Sequence, residues 1–168
     1  MTLPLEILYI RLRNELEACQ QYLPDAFDLS ERSLTTFPLK VEVSLDRTLG
    51  PVMENGKVTY RYNHRLELII GREYPFEKPL VIWKTPIFHP NIMMPEDGGH
   101  VCIKLLSDWS FNSTLSTFIK GLESLLLSPN GGSPFGTESC TAAAQYFNAT
   151  PRRTPPIILS PTPKVVRQ

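Results

Sequence analysis

No run of apolar residues in this 168-residue chain approaches the ~20 needed to cross a bilayer as a helix. An integral membrane protein is therefore not expected. The N-terminal stretch MTLPLEILYIRLRNEL lacks an uninterrupted apolar core, because Glu6, Arg11 and Arg13 break it. No secretory signal is read there, and the expectation is a cytoplasmic protein with free thiols. Two glycosylation sequons, Asn112-Ser113-Thr114 and Asn148-Ala149-Thr150, would then never meet the machinery that uses them. Cysteine is sparse: Cys19, Cys102 and Cys140 cannot all pair with one another. An excess of one charge is lacking too, with 17 basic and 17 acidic residues. That balance argues against nucleic acid as the main partner, since phosphate binding needs a cationic surface. Residues 149–168 are the exception, with Arg152, Arg153, Lys164 and Arg167 and no acid. Without those four bases, 13 stand against 17 acids, a net −4 over residues 1–148.

The composition, 42% hydrophobic and 20% charged, suits one folded domain of ordinary size. Leu5, Leu8, Leu12, Leu16, Cys19 and Leu23 recur at helical spacing and predict a helix over 4–22. Pro24 ends the pattern. The period then changes to two: Leu39, Val41, Val43 and Leu45 alternate with Lys40, Glu42, Ser44 and Asp46. Asn55-Gly56 marks a hairpin turn whose central residues both need φ > 0. Val58, Tyr60 and Tyr62 alternate beyond it, and His64–Ile70 and Leu80–Lys84 complete a predicted four-stranded antiparallel meander. Between Phe88 and Phe111 no period survives, yet Ile92, Val101, Ile103, Leu105, Leu106 and Trp109 remain. That combination predicts an ordered, packed loop suited to holding reactive groups. Helical spacing resumes at Leu115, Phe118, Ile119, Leu122, Leu125 and Leu126, with Asn112 or Ser113 as candidate cap. A short helix is read at Glu138–Phe147. Five prolines from Pro151 to Pro163 forbid regular structure after it. The expectation is an α+β catalytic core over 1–148 and a proline-rich basic tail over 149–168.

Cys102 is the first candidate for chemistry. It lies in the ordered loop between His100 and Lys104, and cations stabilise the thiolate, which is the reactive form. The competing reading is a buried, inert thiol. Cys19 sits on the apolar stripe of the first helix and Cys140 in an alanine-rich helix, so both read as core filler. A zinc site from His89, His100, Cys102 and Cys140 fits no paired-ligand spacing, and no metal is expected. A cysteine protease would need a histidine held against the thiol, and nothing local singles out His89 or His100.

The run Phe88-His89-Pro90-Asn91-Ile92 changes the weighting. Tyr74-Pro75-Phe76 precedes it, and Val101-Cys102-Ile103-Lys104-Leu105-Leu106 follows. Trp109, Thr114-Leu115 and Leu125-Leu126-Leu127-Ser128-Pro129-Asn130 continue in order. From about residue 5 to 147 this pattern resembles the ubiquitin-conjugating enzyme family. The resemblance implies the UBC fold, with the helix, meander, active-site loop, central helix and short C-terminal helix already read above. It implies that Cys102 accepts ubiquitin or a ubiquitin-like protein from an activating enzyme as a thioester. The modifier then passes to a substrate lysine, usually with a RING-type ligase. ATP is used by the activating enzyme, so no cofactor is expected on this chain, and a monomer is expected. Asn91 matches an amide that acts either as an oxyanion donor or as a clamp on the loop. His89 and Pro90 match supporting residues, His89 a mainly structural one. Ser133, before Pro134, matches a position that often holds an acid or Ser. Phe76, Phe111, Asn112 and Arg11 match positions that ligases or the activating enzyme reach.

The chain also departs from the family pattern. Cys102 follows Asn91 by 11 residues, a longer interval than is usual, and the extra residues fall within Met93–Gly99. They either shift Asn91 relative to the thioester or lengthen a surface bulge. Lys104 stands where the family often has Asp. It is read as a cation that favours the thiolate or as a self-modification site, on the same face as Cys102 if the segment is a strand. The second ligase loop reads Trp109-Ser110-Phe111-Asn112 without the family's proline. The tail replaces the usual further helix, and its apolar Ile157-Ile158-Leu159 and Val165-Val166 are read as docking on the core. The alternative to an active enzyme is a catalytically inactive variant of the fold that binds ubiquitin-like proteins.

Overall fold

The computed structural model describes residues 1–29 and 33–150, so the reading of a docked tail lies outside the described residues. Helix α1 (Leu5–Tyr22) buries Leu8, Leu12, Leu16 and Cys19, as the apolar spacing predicts. Leu5 is the exception. It is 42% exposed in the first turn. Pro24, lacking an N–H, cannot continue the ladder, and the Leu23 amide closes the helix on the Cys19 carbonyl at 2.8 Å.

The four-stranded antiparallel sheet is present, with a different membership from the expected meander. Its order is β1 (Phe27–Asp28), β2 (Leu39–Leu45), β5 (His64–Ile70), β6 (Leu80–Trp83). The hairpin β3 (Gly50–Glu54) and β4 (Lys57–Arg61) forms its own two-stranded ribbon. Thus β2 pairs directly with β5, from Leu39 opposite Ile70 to Leu45 opposite His64. The burial patterns give the reason. β2 and β5 bury every second residue, whereas β4 buries none fully, so β4 has no buried face to offer beside β2. Its turn is as the sequence predicts, with Asn55 at φ 51° and Gly56 at φ 77°.

Helix α3 (Leu115–Leu127) buries Leu115, Phe118, Ile119, Leu122 and Leu126. With α1 it covers the apolar face of the sheet in one core that includes Val41, Val43, Leu66, Leu68, Ile70 and Trp83. Burying a side chain of this size contributes roughly 1.5–3 kcal/mol. The cap of α3 is Thr114, whose side chain accepts from the Thr117 amide. Asn112 and Ser113 lie too early. Glu123, buried on α3, accepts hydrogen bonds from Tyr22 of α1, from Arg47 and from Thr48. It staples α3 to α1 and to the turn after β2. Helix α4 (Glu138–Ala149) runs one residue past the domain boundary read at 148. Its Thr137 cap accepts from the Cys140 amide at 3.1 Å.

Candidate active site

The long segment after β6 is ordered, as expected, and it folds back on itself. His89 and Ile92 form one antiparallel bridge, and Ile92 and Val101 form another. The Met93 amide donates to the His100 carbonyl and the Cys102 amide to the Asn91 carbonyl, each at 2.8 Å. The extra residues are the tip of this ladder. They make a 3-10 turn at Pro95–Asp97, closed by Gly98 at φ 112° and Gly99 at φ 67°. The Gly99 carbonyl accepts from the Trp83 amide at 2.7 Å, which ties the tip to the edge of β6. A Cβ on Gly99 would sit 2.6 Å from the Trp83 carbonyl oxygen. The ladder bonds on either side of this tip bring the Cys102 amide to the Asn91 carbonyl.

His89 is fully buried. Its Nδ1 accepts from the Asn91 amide at 3.0 Å, and its Nε2 lies 2.8 Å from the Leu125 carbonyl. A carbonyl only accepts, so the ring is the neutral Nε2–H tautomer. Burial lowers its pKa from 6.5 to about 4, against a smaller opposing effect of the Leu125 carbonyl. The ring is a structural bracket between the loop and the end of α3, with no free nitrogen for proton transfer. Pro90 is buried, and its carbonyl accepts from the Phe135 amide at 3.0 Å.

Asn91 is 3% exposed. Its Nδ2 donates to the Asn130 carbonyl at 3.1 Å and the Ser133 carbonyl at 3.3 Å, and its Oδ1 accepts from the Asn130 amide at 2.8 Å. Both amide N–H groups are thus engaged by the 130–133 loop. An oxyanion could take one only by displacing a carbonyl. Ser133 joins this clamp through its main chain, and its residue is exposed.

Cys102 is exposed, whereas Cys19 and Cys140 are buried. Burial, and then the nearby Glu15 charge, push the Cys19 thiol up to about 12. Burial also raises Cys140. Neither buried thiol is disposed to ionise. Lys104 does not lie in a strand beside Cys102. It opens a short helix, α2 (Lys104–Ser107), because Ile103 is the last extended residue. Its Nζ lies 2.9 Å from the Asp108 carboxylate one turn on, a pair that raises the Lys104 pKa.

The four residues matched to ligase and activating-enzyme contacts fall around one corner. Phe76 and Phe111 are exposed, with ring centroids 5.3 Å apart. Asn112 is exposed beside them, its amide donating to Ser110 Oγ at 3.3 Å. Arg11 is folded inward: its Nε meets Glu15 at 2.6 Å and its terminal nitrogen donates to the Phe111 and Ser113 carbonyls. Sequence reasoning assigned no role to Glu15 or Tyr74. Glu15 is 9% exposed and accepts from the Tyr74 hydroxyl at 2.6 Å and the Leu115 amide at 2.8 Å. The available signal was an acid seven residues after Leu8 and three after Leu12, on the buried stripe of α1. Among the described residues no group of three or more His, Cys, Asp or Glu converges as a metal site.

The chain matches known proteins over much of its length. A family profile described as "Ubiquitin-conjugating enzyme" matches residues 12–152. The chain is 34% identical over 121 residues to the NEDD8-conjugating enzyme UBC12 of Eremothecium gossypii, covering 65% of this chain and 62% of that one. It is 32% identical over 88 residues to a Schizosaccharomyces pombe ubiquitin-conjugating enzyme E2-20 kDa, covering 52% of this chain and 46% of that one. The chain therefore spans about half to two thirds of these relatives. Among solved structures, S. cerevisiae Ubc12 superposes with a TM-score of 0.65 at 29% identity, over 86% of this chain and 72% of that one. A Toxoplasma gondii E2 domain, at 23% identity and a TM-score of 0.61 over 83% of this chain and 85% of that one, shares the fold. The profile match across most of the chain, on a UBC fold with the His89-Pro90-Asn91 ladder, places this protein in the ubiquitin-conjugating enzyme family.

Proposed function

We propose that this chain is an active conjugating enzyme with Cys102 as its nucleophile. The Cys102 thiolate attacks the C-terminal carbonyl of a ubiquitin-like protein held as a thioester on an activating enzyme. The activating enzyme's sulfur leaves, and the modifier is now a thioester on Cys102. A substrate lysine amine attacks the same carbonyl, Cys102 leaves as thiolate, and the amine's proton passes to solvent or a nearby base. The product is an isopeptide. ATP is consumed upstream, by the activating enzyme. The observation that carries this reading is exposure: of three cysteines, Cys102 alone is exposed, at the end of the ladder that begins with His89-Pro90-Asn91.

In this scheme Asn91 and His89 hold the 130–133 loop and the end of α3 in place around the thioester, as a clamp rather than as donors to the oxyanion. The corner formed by Phe76, Phe111 and Asn112 is the ligase contact, with a RING-type ligase as partner. The modifier is taken from the relatives' names: a ubiquitin-like protein, with NEDD8 and ubiquitin as the two to test. The experiment is incubation with a matched activating enzyme, ATP and each modifier, followed by a non-reducing gel. A reductant-sensitive adduct with one of them supports the reading. No adduct with either supports the inactive, binding-only variant.

A further inference from the structure

Arg11 and Glu15 lie outside the reacting loop, yet they build the corner on which Phe111 stands. Glu15 is a buried carboxylate with three donors from three parts of the chain: Arg11 of α1, Tyr74 before β6 and the Leu115 amide at the start of α3. The charge needs such partners, because a lone buried carboxylate would be strongly unfavourable. Its pairing with Arg11 fixes the guanidinium plane. The guanidinium carbon then lies 4.8 Å from the Phe111 ring centroid and 5.7 Å from the Tyr74 centroid. The same guanidinium donates to the Phe111 carbonyl at 2.7 Å and the Ser113 carbonyl at 2.9 Å. Phe111 is therefore held by its main chain and by its ring, and its ring centroid lies 5.3 Å from that of Phe76. The Trp109 indole donates to the Pro75 carbonyl at 3.0 Å and ties the two loops from the other side.

We propose that Glu15 is a positioning residue for ligase binding: through Arg11 it pre-sets Phe111 against Phe76. This rests on reading the corner as the ligase contact of a conjugating enzyme. The physical role is preorganisation. An unsupported Phe111 loop would sample several positions, and a ligase would bind the fraction with the ring in place. Trp109-Ser110-Phe111-Asn112 contains no proline, so no fixed φ rigidifies this loop. The Arg11 guanidinium, its carbon 4.8 Å from the Phe111 ring centroid, supplies rigidity by a different route.

Glu15→Gln tests this with little change of shape. The amide oxygen can keep the Tyr74 and Leu115 bonds, while the new NH2 group faces the Arg11 Nε–H, donor against donor. Arg11 is then no longer fixed beneath Phe111. The readouts are discharge of the preloaded thioester to free lysine, alone and with a purified RING domain. The probe is whichever domain of a purified panel most accelerates the wild-type protein. Glu15→Gln should raise the RING concentration for half-maximal stimulation about fivefold, the population lost with an interaction of ~1 kcal/mol. The maximal stimulated rate and the unstimulated rate should stay as in wild type. Arg11→Lys keeps the charge beside Glu15 but has one donor nitrogen where Arg11 uses Nε for Glu15 and a terminal nitrogen for the two carbonyls; it should raise the half-maximal concentration too. An unchanged half-maximal concentration in both variants overturns the proposal. So does a parallel fall of unstimulated discharge, which would mean a general structural role. If no RING domain accelerates the wild type, the ligase reading fails and takes this proposal with it. Absence of any thioester would instead contradict the conjugating function itself.

Discussion

The Cys102 amide donates to the Asn91 carbonyl at 2.8 Å, across 11 residues of chain. One hydrogen bond therefore sets the distance between the nucleophile's backbone and the loop that carries His89 and Asn91. The residues between them form a closed tip held to β6 by Gly99. The site's geometry rests on this ladder more than on the length of the insertion.

Alanine should be costly at Gly99 in the tip and better tolerated at Gly56 in the β3–β4 turn. Both have positive φ, which costs an L residue ~1–2 kcal/mol. A Cβ at Gly56 meets nothing within 4 Å, whereas one at Gly99 meets the Trp83 carbonyl oxygen at 2.6 Å and its amide at 2.9 Å. Gly99→Ala should lower the melting temperature clearly more than Gly56→Ala, and chemical denaturation of the two variants checks it. Equal losses would mean that the tip yields freely and does not anchor the ladder.

Asn91→Ala removes one acceptor and two donors from the 130–133 loop. The part-buried bonds to the Asn130 and Ser133 main chain are lost, at about 0.5–1.5 kcal/mol of stability each. Discharge to free lysine should fall by less than the roughly 10²–10³-fold expected for loss of a direct oxyanion donor. Thermal melts beside single-turnover discharge decide between the roles. A large discharge loss with an unchanged melting temperature would make Asn91 a direct participant.

His89 makes the clamp sensitive to acid. Its folded pKa, about 4, is below the ordinary 6.5. The unfolded chain thus binds the proton more readily, and stability is full above about pH 6.5 and falls as pH drops toward 4. The loss from this group is on the order of 3 kcal/mol. Burial lowers His64 as well, so it adds to the same slope. His89→Gln should flatten the dependence without abolishing it. Melting temperatures from pH 7 to 4 give the answer, and an unchanged slope in the variant would remove His89 as its source.

The helix, the sheet's buried alternation and the hairpin turn were legible because each is a local pattern. Leu8 to Cys19 repeats at the helical period, β2 alternates, and Asn55-Gly56 fits one turn type. Sheet membership was not legible. Whether 57–61 or 64–70 lies beside 39–45 depends on which has a face to bury, and Val58, Tyr60 and Tyr62 alternate almost as well as Leu66, Leu68 and Ile70. At the site, Cys102, His89 and Asn91 were visible through the family pattern. The closure of Asn91 on Asn130 and Ser133, about 40 residues away, carries no sequence signal beyond that pattern. Lys104 was misplaced because alternation up to Ile103 gives no warning that a helix starts at the next residue. The inward pairing of Arg11 with Glu15 carried little signal, because a base and an acid four apart on a helix are as common on a solvated face as on a buried one.

Lys104 is a conditional acceptor of the modifier. Its ion pair with Asp108 raises its pKa, so the free amine is scarcer at a given pH than for an unpaired lysine. Self-modification at Lys104 should rise with pH, and Asp108→Asn should increase it at constant pH. Peptide mapping of the isopeptide after overnight incubation of the loaded protein reads this. No gain at Lys104 in Asp108→Asn would show that reach, rather than protonation, limits the reaction.

The central claim is that Cys102 carries the modifier. The direct measurement is thioester formation with activating enzyme, ATP and a ubiquitin-like protein, using the wild type, Cys102→Ala, Cys102→Ser and Cys140→Ala. The account predicts a reductant-sensitive adduct in the wild type and in Cys140→Ala. It predicts none in Cys102→Ala, and at most a reductant-resistant oxyester in Cys102→Ser. A reductant-sensitive adduct that persists in Cys102→Ala, or that disappears in a folded Cys140→Ala, would contradict it.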